Sequence, residues 1–434
     1  MKKKLFILSL VLLISLPLFA NGKAESKDEE NVVTTVCRAS YATADWYNQM
    51  NLDFEKETGI HVDVSPTPGN DDDHVMKVNL DLLAGGDIDV IQSLGPKTYQ
   101  NRVRAGYFVP LNELVKDAGV DAEQIWGTNI PYETDGNYYS VPLKKEVFCV
   151  LYNKDLFDGA NVPYPSGSWT WDDYLAIAQK ITDADKGIYG SFILADNPFQ
   201  FIQAKQQGAA LYTEDGMCNF NNPQVKEAVQ FYYDLGNKYK VQPSVSEMQA
   251  ENVSWNYYAM EGDHLAMFPQ GNWFTRLLNS QSDYPRDWKY GVAPLPSAGE
   301  NGNNNLISMA YSSINKNAKH KDAALKYVLW VGQNQWKYEG GIPALASLSE
   351  QDKAEVFGPV AEASNGQVTI DDLYNSFIAN GMGNQNSDIL GDVSSEYNAI
   401  VNEELHKYFM DLETLDNTLE NIETRVNEVI ENVK

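Results

Sequence analysis

The side chains in this chain best placed for chemistry are aromatic rings and amides rather than nucleophiles. There are 9 Trp and 25 Tyr in 434 residues. Several of them, Tyr41, Trp169, Trp255 and Trp273, fall in loops between predicted elements. A flat ring offers an apolar face to the C–H face of a sugar, while neighbouring amides and carboxylates serve its hydroxyls. Core packing is the alternative role for any one of them. The most suggestive stretch is Gln270-Gly271-Asn272-Trp273. There Gly271 lets the backbone turn tightly and Asn272 sets an amide beside an indole.

Patterns for catalysis are missing. The five histidines (His61, His74, His264, His320, His406) form no HExxH and no His/Cys cluster, and there is no GxSxG, GxxxxGK[ST] or GxGxxG. Gly381-Met382-Gly383 is too short to cradle a phosphate. Asp71-Asp72-Asp73 lacks the spacing and glycine of a calcium loop and reads as a solvated loop. A glycosidase needs two carboxylates at a set separation, and nothing singles out such a pair among 60 acidic residues. Cys37, Cys149 and Cys218 have no CxxC spacing; an odd number, two of them in apolar runs, predicts free buried thiols. No cofactor and no metal are expected.

The elements that must carry these residues follow from hydrophobic period. Val32–Cys37, Gly59–Ser65 and Ile88–Ile91 read as strands, with helical stripes at Trp46/Tyr47, Met50, Phe54 and at Val75, Val78, Leu82 between them. Such alternation implies βαβ units and a largely parallel sheet. Pro142 to Tyr152 is a long apolar run suited to a strand leaving the first domain. Thr170 with Asp173 three residues later forms a capping box. Tyr290–Leu295 is a short apolar strand, and Gly340-Gly341-Ile342-Pro343 a clear break. From Ser394 the chain is acidic and helical. Its stripe from Leu405 to Val433 suits either a coiled coil or a helix pair packed on its own domain.

The formal charge is −27, from 33 Lys+Arg against 60 Asp+Glu. With no basic stripe, that charge argues against nucleic acid as a partner. The length allows two or three domains. Lys2-Lys3-Lys4 followed by the apolar run Leu5–Phe19 predicts a secretory signal over residues 1–24, cleaved near Ala20 or Ala24. The run is shorter than the ~20 residues of a spanning helix. No cysteine lies in the signal, so a lipid attachment there is not expected.

At Leu151-Tyr152-Asn153-Lys154-Asp155-Leu156-Phe157 and Trp169-Thr170-Trp171-Asp172-Asp173 the sequence resembles the extracellular solute-binding proteins of ABC importers, in their maltose-binding-protein-like, sugar-binding branch. Further segments agree in order: Thr58-Gly59-Ile60, Leu83 to Val90, Gly106 to Leu111, Gly136 to Pro142, Ala266 to Trp273, Gly291 to Pro296 and Gly341-Ile342-Pro343. The resemblance covers nearly the whole mature chain. It implies an α/β fold of type II, two lobes joined by crossover strands, with ligand in the cleft. On that basis residues 25–145 and 292–340 form lobe one and 146–291 and 341–434 lobe two, with crossings near Lys145, Gly291 and Gly340.

Binding positions transfer by motif. Ser40 and Tyr41 fall in the loop after the first strand, and Gln92 and Ser93 after the strand that begins at Asp89. Glu146, seven residues before Asn153, matches a ligand-binding glutamate of the crossover strand. Asn197 and Phe199 sit where lobe two offers a polar and an aromatic contact, and Trp273 matches a stacking tryptophan; Trp255, Asn272 and Ser308 complete the candidate set. Ser93 stands where the maltose-type pattern has an aromatic, and Asn197 where it has an acid, which argues against maltodextrin while keeping a sugar. Lys144 and Lys145 leave room for an anionic solute such as a sugar phosphate, although solvated surface lysines are the simpler account. The resemblance implies a periplasmic, monomeric protein that captures a sugar by hinge closure and delivers it to the transmembrane subunits of an ABC permease, without covalent chemistry. A secreted glycosidase and a ligand-binding partner of a membrane sensor are the alternatives.

Overall fold

A computed structural model describes residues 31–254, 256–299 and 302–433. The predicted signal over 1–24 and the candidate Trp255 lie outside the described residues. Strand β1 (Val32–Arg38) pairs in parallel with β2 (His61–Thr67) and β3 (Val90–Ser93). The connecting helices are α1 (Ala39–Ala42) and α2 (Asp45–Thr58) before β2, and α3 (Asp71–Leu83) before β3. Helix α2 buries Tyr47, Met50 and Phe54, the stripe read from the sequence, and ends on Gly59 at φ 71°, a left-handed position that favours glycine. Asp71–Asp73 is not a loop. It is the first turn of α3, where Asn70 and Asp73 form a reciprocal capping box and three carboxylates meet the positive end of the helix. The capping box of Thr170 and Asp173 forms as its spacing predicts.

The parallel trio is completed by antiparallel strands. β3 pairs with β7 (Asn304–Ile314), and β7 pairs with the first half of β4 (Val141–Asn153). The second half of β4 joins a different set, pairing Phe148–Tyr152 with β5 (Met267–Gly271) and Cys149–Asn153 with β6 (Tyr290–Pro294). β8 (Ile342–Pro343) adds antiparallel to β4 at Lys144 and Lys145, whereas β9 (Gly383–Asn386) runs parallel to β7 at Asn304–Ile307. β4 and β7 therefore run side by side through the middle of the molecule.

Their buried residues divide into separate cores. Val141, Leu143 and Ile314 pack with Val33, Tyr47, Phe54, Tyr327 and Val331. Val147, Val150, Leu306 and Ile307 pack with Phe192, Phe268, Trp336 and Leu405. A third cluster on the other face of the first sheet holds Val36, Ile91, Tyr99 and Tyr311, under α3 and α4 (Pro96–Arg104). The chain thus passes from one lobe to the other between Leu143 and Val147, between Ile307 and Tyr311, and near the end of the long helix Lys321–Glu339, giving a mixed α/β, two-lobed fold. Tyr290–Pro294, expected to return the chain to the first lobe, pairs instead inside the second set of strands, and the return runs through β7. A run buried on both faces reads as a strand but carries no mark of the sheet it joins. The C-terminal helices Ser394–Phe409 and Leu415–Val433 pack as a pair on the second core, with Leu405, Leu419, Ile422 and Val426 fully buried.

Asp89 ties the first sheet to the long helix. Its buried carboxylate accepts from Thr34 N and Oγ1 at 2.8 and 2.9 Å, and from His320 N and Nδ1 at 3.0 and 2.8 Å. Burial pushes its pKa up, yet these hydrogen bonds outweigh burial and hold it below the ordinary carboxylate value. Asp89→Ala should cost roughly 2–3 kcal/mol in urea unfolding at pH 7, since it orphans several buried donors. Because the folded pKa is the lower one, this contribution is present above the unfolded value and vanishes as pH falls through the folded one. The difference between wild type and variant should accordingly shrink at pH 3.

Candidate functional site

The middle of β4 and β7 is where the two cores are furthest from covering both strands, and there Glu146 stands directly opposite Ser308. Period-two alternation places Lys144 and Ala310 on the same face as this pair. Lys144 does not reach solvent as a surface lysine would. Its side chain is 17% exposed, and Nζ lies 2.6 Å from Glu339 Oε1 and 3.2 Å from Glu146 Oε1. Glu339, at the end of the long helix and 5% exposed, also accepts from Tyr41 Oη at 2.5 Å and Gln335 Nε2 at 3.1 Å. Gln92 Nε2 in turn donates to Gln335 Oε1 at 3.0 Å. Burial lowers the Lys144 pKa, but the neighbouring charges of Glu146 and Glu339 outweigh it and hold it above the ordinary lysine value. Glu339 is raised by burial and, more strongly, lowered by the Lys144 charge and its three donors, so that it ends below the usual carboxylate range. Tyr41 is pushed up to about 12 by burial and then by the charge of Glu339. Lys145 is likewise no surface lysine; it points to the opposite face, and burial lowers its pKa.

The aromatic part comes from the second lobe. β5 ends at Gly271, and a single turn, Asn272–Phe274, follows. Asn272 Oδ1 accepts from Val147 N at 2.8 Å, so its amide locks this turn onto the crossover strand. Trp273 is partly exposed and meets Phe148 edge-on at 5.4 Å; Phe148 meets Phe199 at 5.5 Å. Gly271 is not needed for a tight turn, because its φ of −79° and ψ of 156° are ordinary extended backbone. The glycine is required by the indole instead, since a Cβ there would stand 1.7 Å from a Trp273 ring carbon. Gly271→Ala should therefore displace the ring and shift its fluorescence emission, with far-UV circular dichroism unchanged.

A hollow opens here, bordered by Lys144, Glu146, Asn272, Trp273, Arg276 and Gly341. Glu146 Oε2 has no hydrogen-bond partner although the atom is buried. On the far side of Ser308 lies Gly95, where a methyl would sit 3.7 Å from both Ser308 Oγ and Asp388 Oδ2. Asp388 approaches Lys97 N at 3.4 Å, at the start of a helix with no capping side chain of its own.

Seven of the sequence candidates thus join one connected group: Tyr41 and Gln92 through Glu339 and Gln335, Glu146 and Ser308 across the ladder, and Asn272, Trp273 and Phe199 around Phe148. Asn197 donates to Asn398, and its Oδ1 is buried without a partner. Ser40 is exposed on α1 and makes no side-chain contact with the group. Ser93 is fully buried and spends its hydroxyl on Arg102 Nη1 at 3.1 Å, which also binds the Gln92 carbonyl at 2.9 Å. Trp169, read as a loop ring, is core: it is 7% exposed with Nε1 on the Pro294 carbonyl. Sequence reading missed Glu339, Gln335 and Phe148. The first two lie one turn apart on the long helix, where no motif marks them, and the third sits inside an apolar run.

Two α/β lobes joined by adjacent crossover strands, with polar groups and a ring gathered where they cross, define a two-lobed binding protein. The profile of the bacterial extracellular solute-binding proteins matches residues 40–338, and the chain belongs to that family. It is 26% identical over 320 residues to a putative binding protein of Brucella abortus, covering 72% of this chain and 75% of that one. An arabinooligosaccharide-binding protein of Halalkalibacterium halodurans is 24% identical over 210 residues, 44% of this chain and 46% of the relative. Among solved structures, an ABC substrate-binding protein of Listeria monocytogenes in complex with cycloalternan superposes with TM-score 0.74 at 21% identity, covering 92% of this chain and 99% of that one. Maltose-bound T. maritima MalE3 gives 0.68 at 20%, with 92% and 99% covered. These are binding proteins rather than enzymes. Among the described residues no helix is long and apolar enough to cross a membrane.

Proposed function

We propose that this chain is the exported binding component of an ABC importer, holding a carbohydrate between its lobes and presenting it to the transmembrane subunits of a permease. The observation that carries the reading is the pairing of Glu146 with Ser308 across the two strands that connect the cores, beside the partly exposed ring of Trp273. A ligand there is reached by both lobes only when they close, so binding energy favours the closed form. Ring stacking suits the C–H face of a sugar, and Glu146 Oε2 offers a free acceptor to a hydroxyl. The cycloalternan, maltose and arabinooligosaccharide named for the relatives are all sugars, in line with this chemistry.

In the same reading residues 1–24 are the export signal, lobe one is residues 31–145 with about 308–335, and lobe two is the remainder. Tyr41, Gln92, Glu146, Asn197, Phe199, Asn272, Trp273 and Ser308 line or support the cleft, and the protein acts as a monomer. A panel of mono- and oligosaccharides, polyols and sugar phosphates tested by thermal shift should contain a sugar that raises the unfolding midpoint with concentration. If none does, and small-angle scattering shows no compaction with any of them, carbohydrate capture is wrong.

A further inference from the structure

The cleft floor contains a charge arrangement that bears on which carbohydrates can enter. Lys144 is the cation of the floor, and it is held on both sides, by Glu339 at 2.6 Å and Glu146 at 3.2 Å. Glu339 is fixed in turn by Tyr41 and Gln335. Two carboxylates and one ammonium leave this group with a net negative charge. Phosphate recognition draws on a cation whose charge is free, and a lysine paired with two carboxylates has its charge already neutralised and only one of its three N–H donors uncommitted. The unpartnered atom here is an acceptor, Glu146 Oε2. An acceptor calls for a donor, which a hydroxyl has and a phosphate dianion lacks. The other cation bordering the hollow, Arg276, is exposed with Nε 3.3 Å from the Trp273 carbonyl, so solvent screens its charge.

We propose that Glu339 is a specificity-determining residue that, with Glu146, keeps Lys144 occupied, so that the cleft accepts uncharged polyhydroxylated ligands and rejects phosphorylated ones. This rests on the carbohydrate-capture reading and narrows it. It also predicts a latent property: removing both negative charges turns the same lysine into an anion receptor.

The test uses the full mature chain at low ionic strength, with matched probes (glucose and glucose 6-phosphate, mannitol and mannitol 1-phosphate) and inorganic phosphate and pyrophosphate, read by thermal shift and calorimetry. Wild type should show no midpoint increase with any phosphorylated probe. The double variant Glu146→Gln/Glu339→Gln should bind inorganic phosphate at least about tenfold more tightly than wild type, and adding Lys144→Met should abolish that gain. The proposal is overturned if a phosphorylated probe stabilises wild type and the effect is lost in Trp273→Ala, or if the double variant, folded by circular dichroism, gains no phosphate binding. Should the double variant not fold, the wild-type arm alone decides. Capture itself fails separately: a phosphorylated ligand found in the cleft sinks this proposal while capture stands, whereas a phosphate gain in the double variant with no neutral ligand found supports the proposal and leaves capture without support.

Discussion

Replacing Trp273 by Ala is expected to weaken carbohydrate binding by about ten- to a hundredfold, with the fold intact, as roughly 1–3 kcal/mol of stacking and burial disappears. The asymmetry between affinity and stability follows from where the ring sits. Trp273 is partly exposed, lies over the bare backbone of Gly271, and meets the buried ring of Phe148 edge-on at the margin of the core. Phe148 is itself buried beneath it, so Phe148→Ala should lower stability as well as affinity. Calorimetric titration with the sugar identified by the thermal-shift panel separates the two. An unchanged dissociation constant in Trp273→Ala would remove the indole from the site.

Lys144→Met should be the most destabilising single change at the cleft floor, costing about 3 kcal/mol, because it leaves the buried carboxylate of Glu339 beside partly buried Glu146 without a counter-charge. The loss should largely disappear in the triple variant Lys144→Met/Glu146→Gln/Glu339→Gln, in which every member is neutral and of similar size. The pH dependence has a definite sign. Glu339 titrates below its unfolded value in the folded state, so the stability it brings is present above that value and fades as pH falls through the folded one. Urea unfolding of wild type between pH 7 and pH 3 should therefore lose this contribution, and the triple variant should be flatter over the same range. A Lys144→Met protein as stable as wild type at pH 7 would show that the ion pairs seen here carry no net energy.

How much of this was legible beforehand differs between elements and site. The stripes at Tyr47, Met50 and Phe54 and the caps at Gly59 and Thr170 encode their own helices, since the information is local: period, cap residue and left-handed glycine lie within a few positions of one another. The short helical segments bearing Tyr41, Trp273 and Phe199 were reachable by ordered motifs. Misreadings came where a residue's partner is far away in sequence. Asp71–Asp73 is an exception, since its cap partner Asn70 is local and only the charge run suggests a solvated loop, but no local rule places Lys144, because Glu339 is 195 residues distant.

From the sequence alone came the expectation of a secretory lead, the βαβ start, the acidic helical tail, the absence of catalytic patterns and a set of candidate binding residues. Tertiary structure decided which of those residues meet. It assigned Tyr290–Pro294 to the second set of strands and the return crossing to β7, withdrew Ser93 beneath Arg102, buried Trp169, and converted an apparent surface lysine into the centre of an ion-pair network. The physical reason is that periodicity and capping act over a few residues, whereas strand pairing, ion pairing and burial are settled by neighbours brought together only when the two cores form.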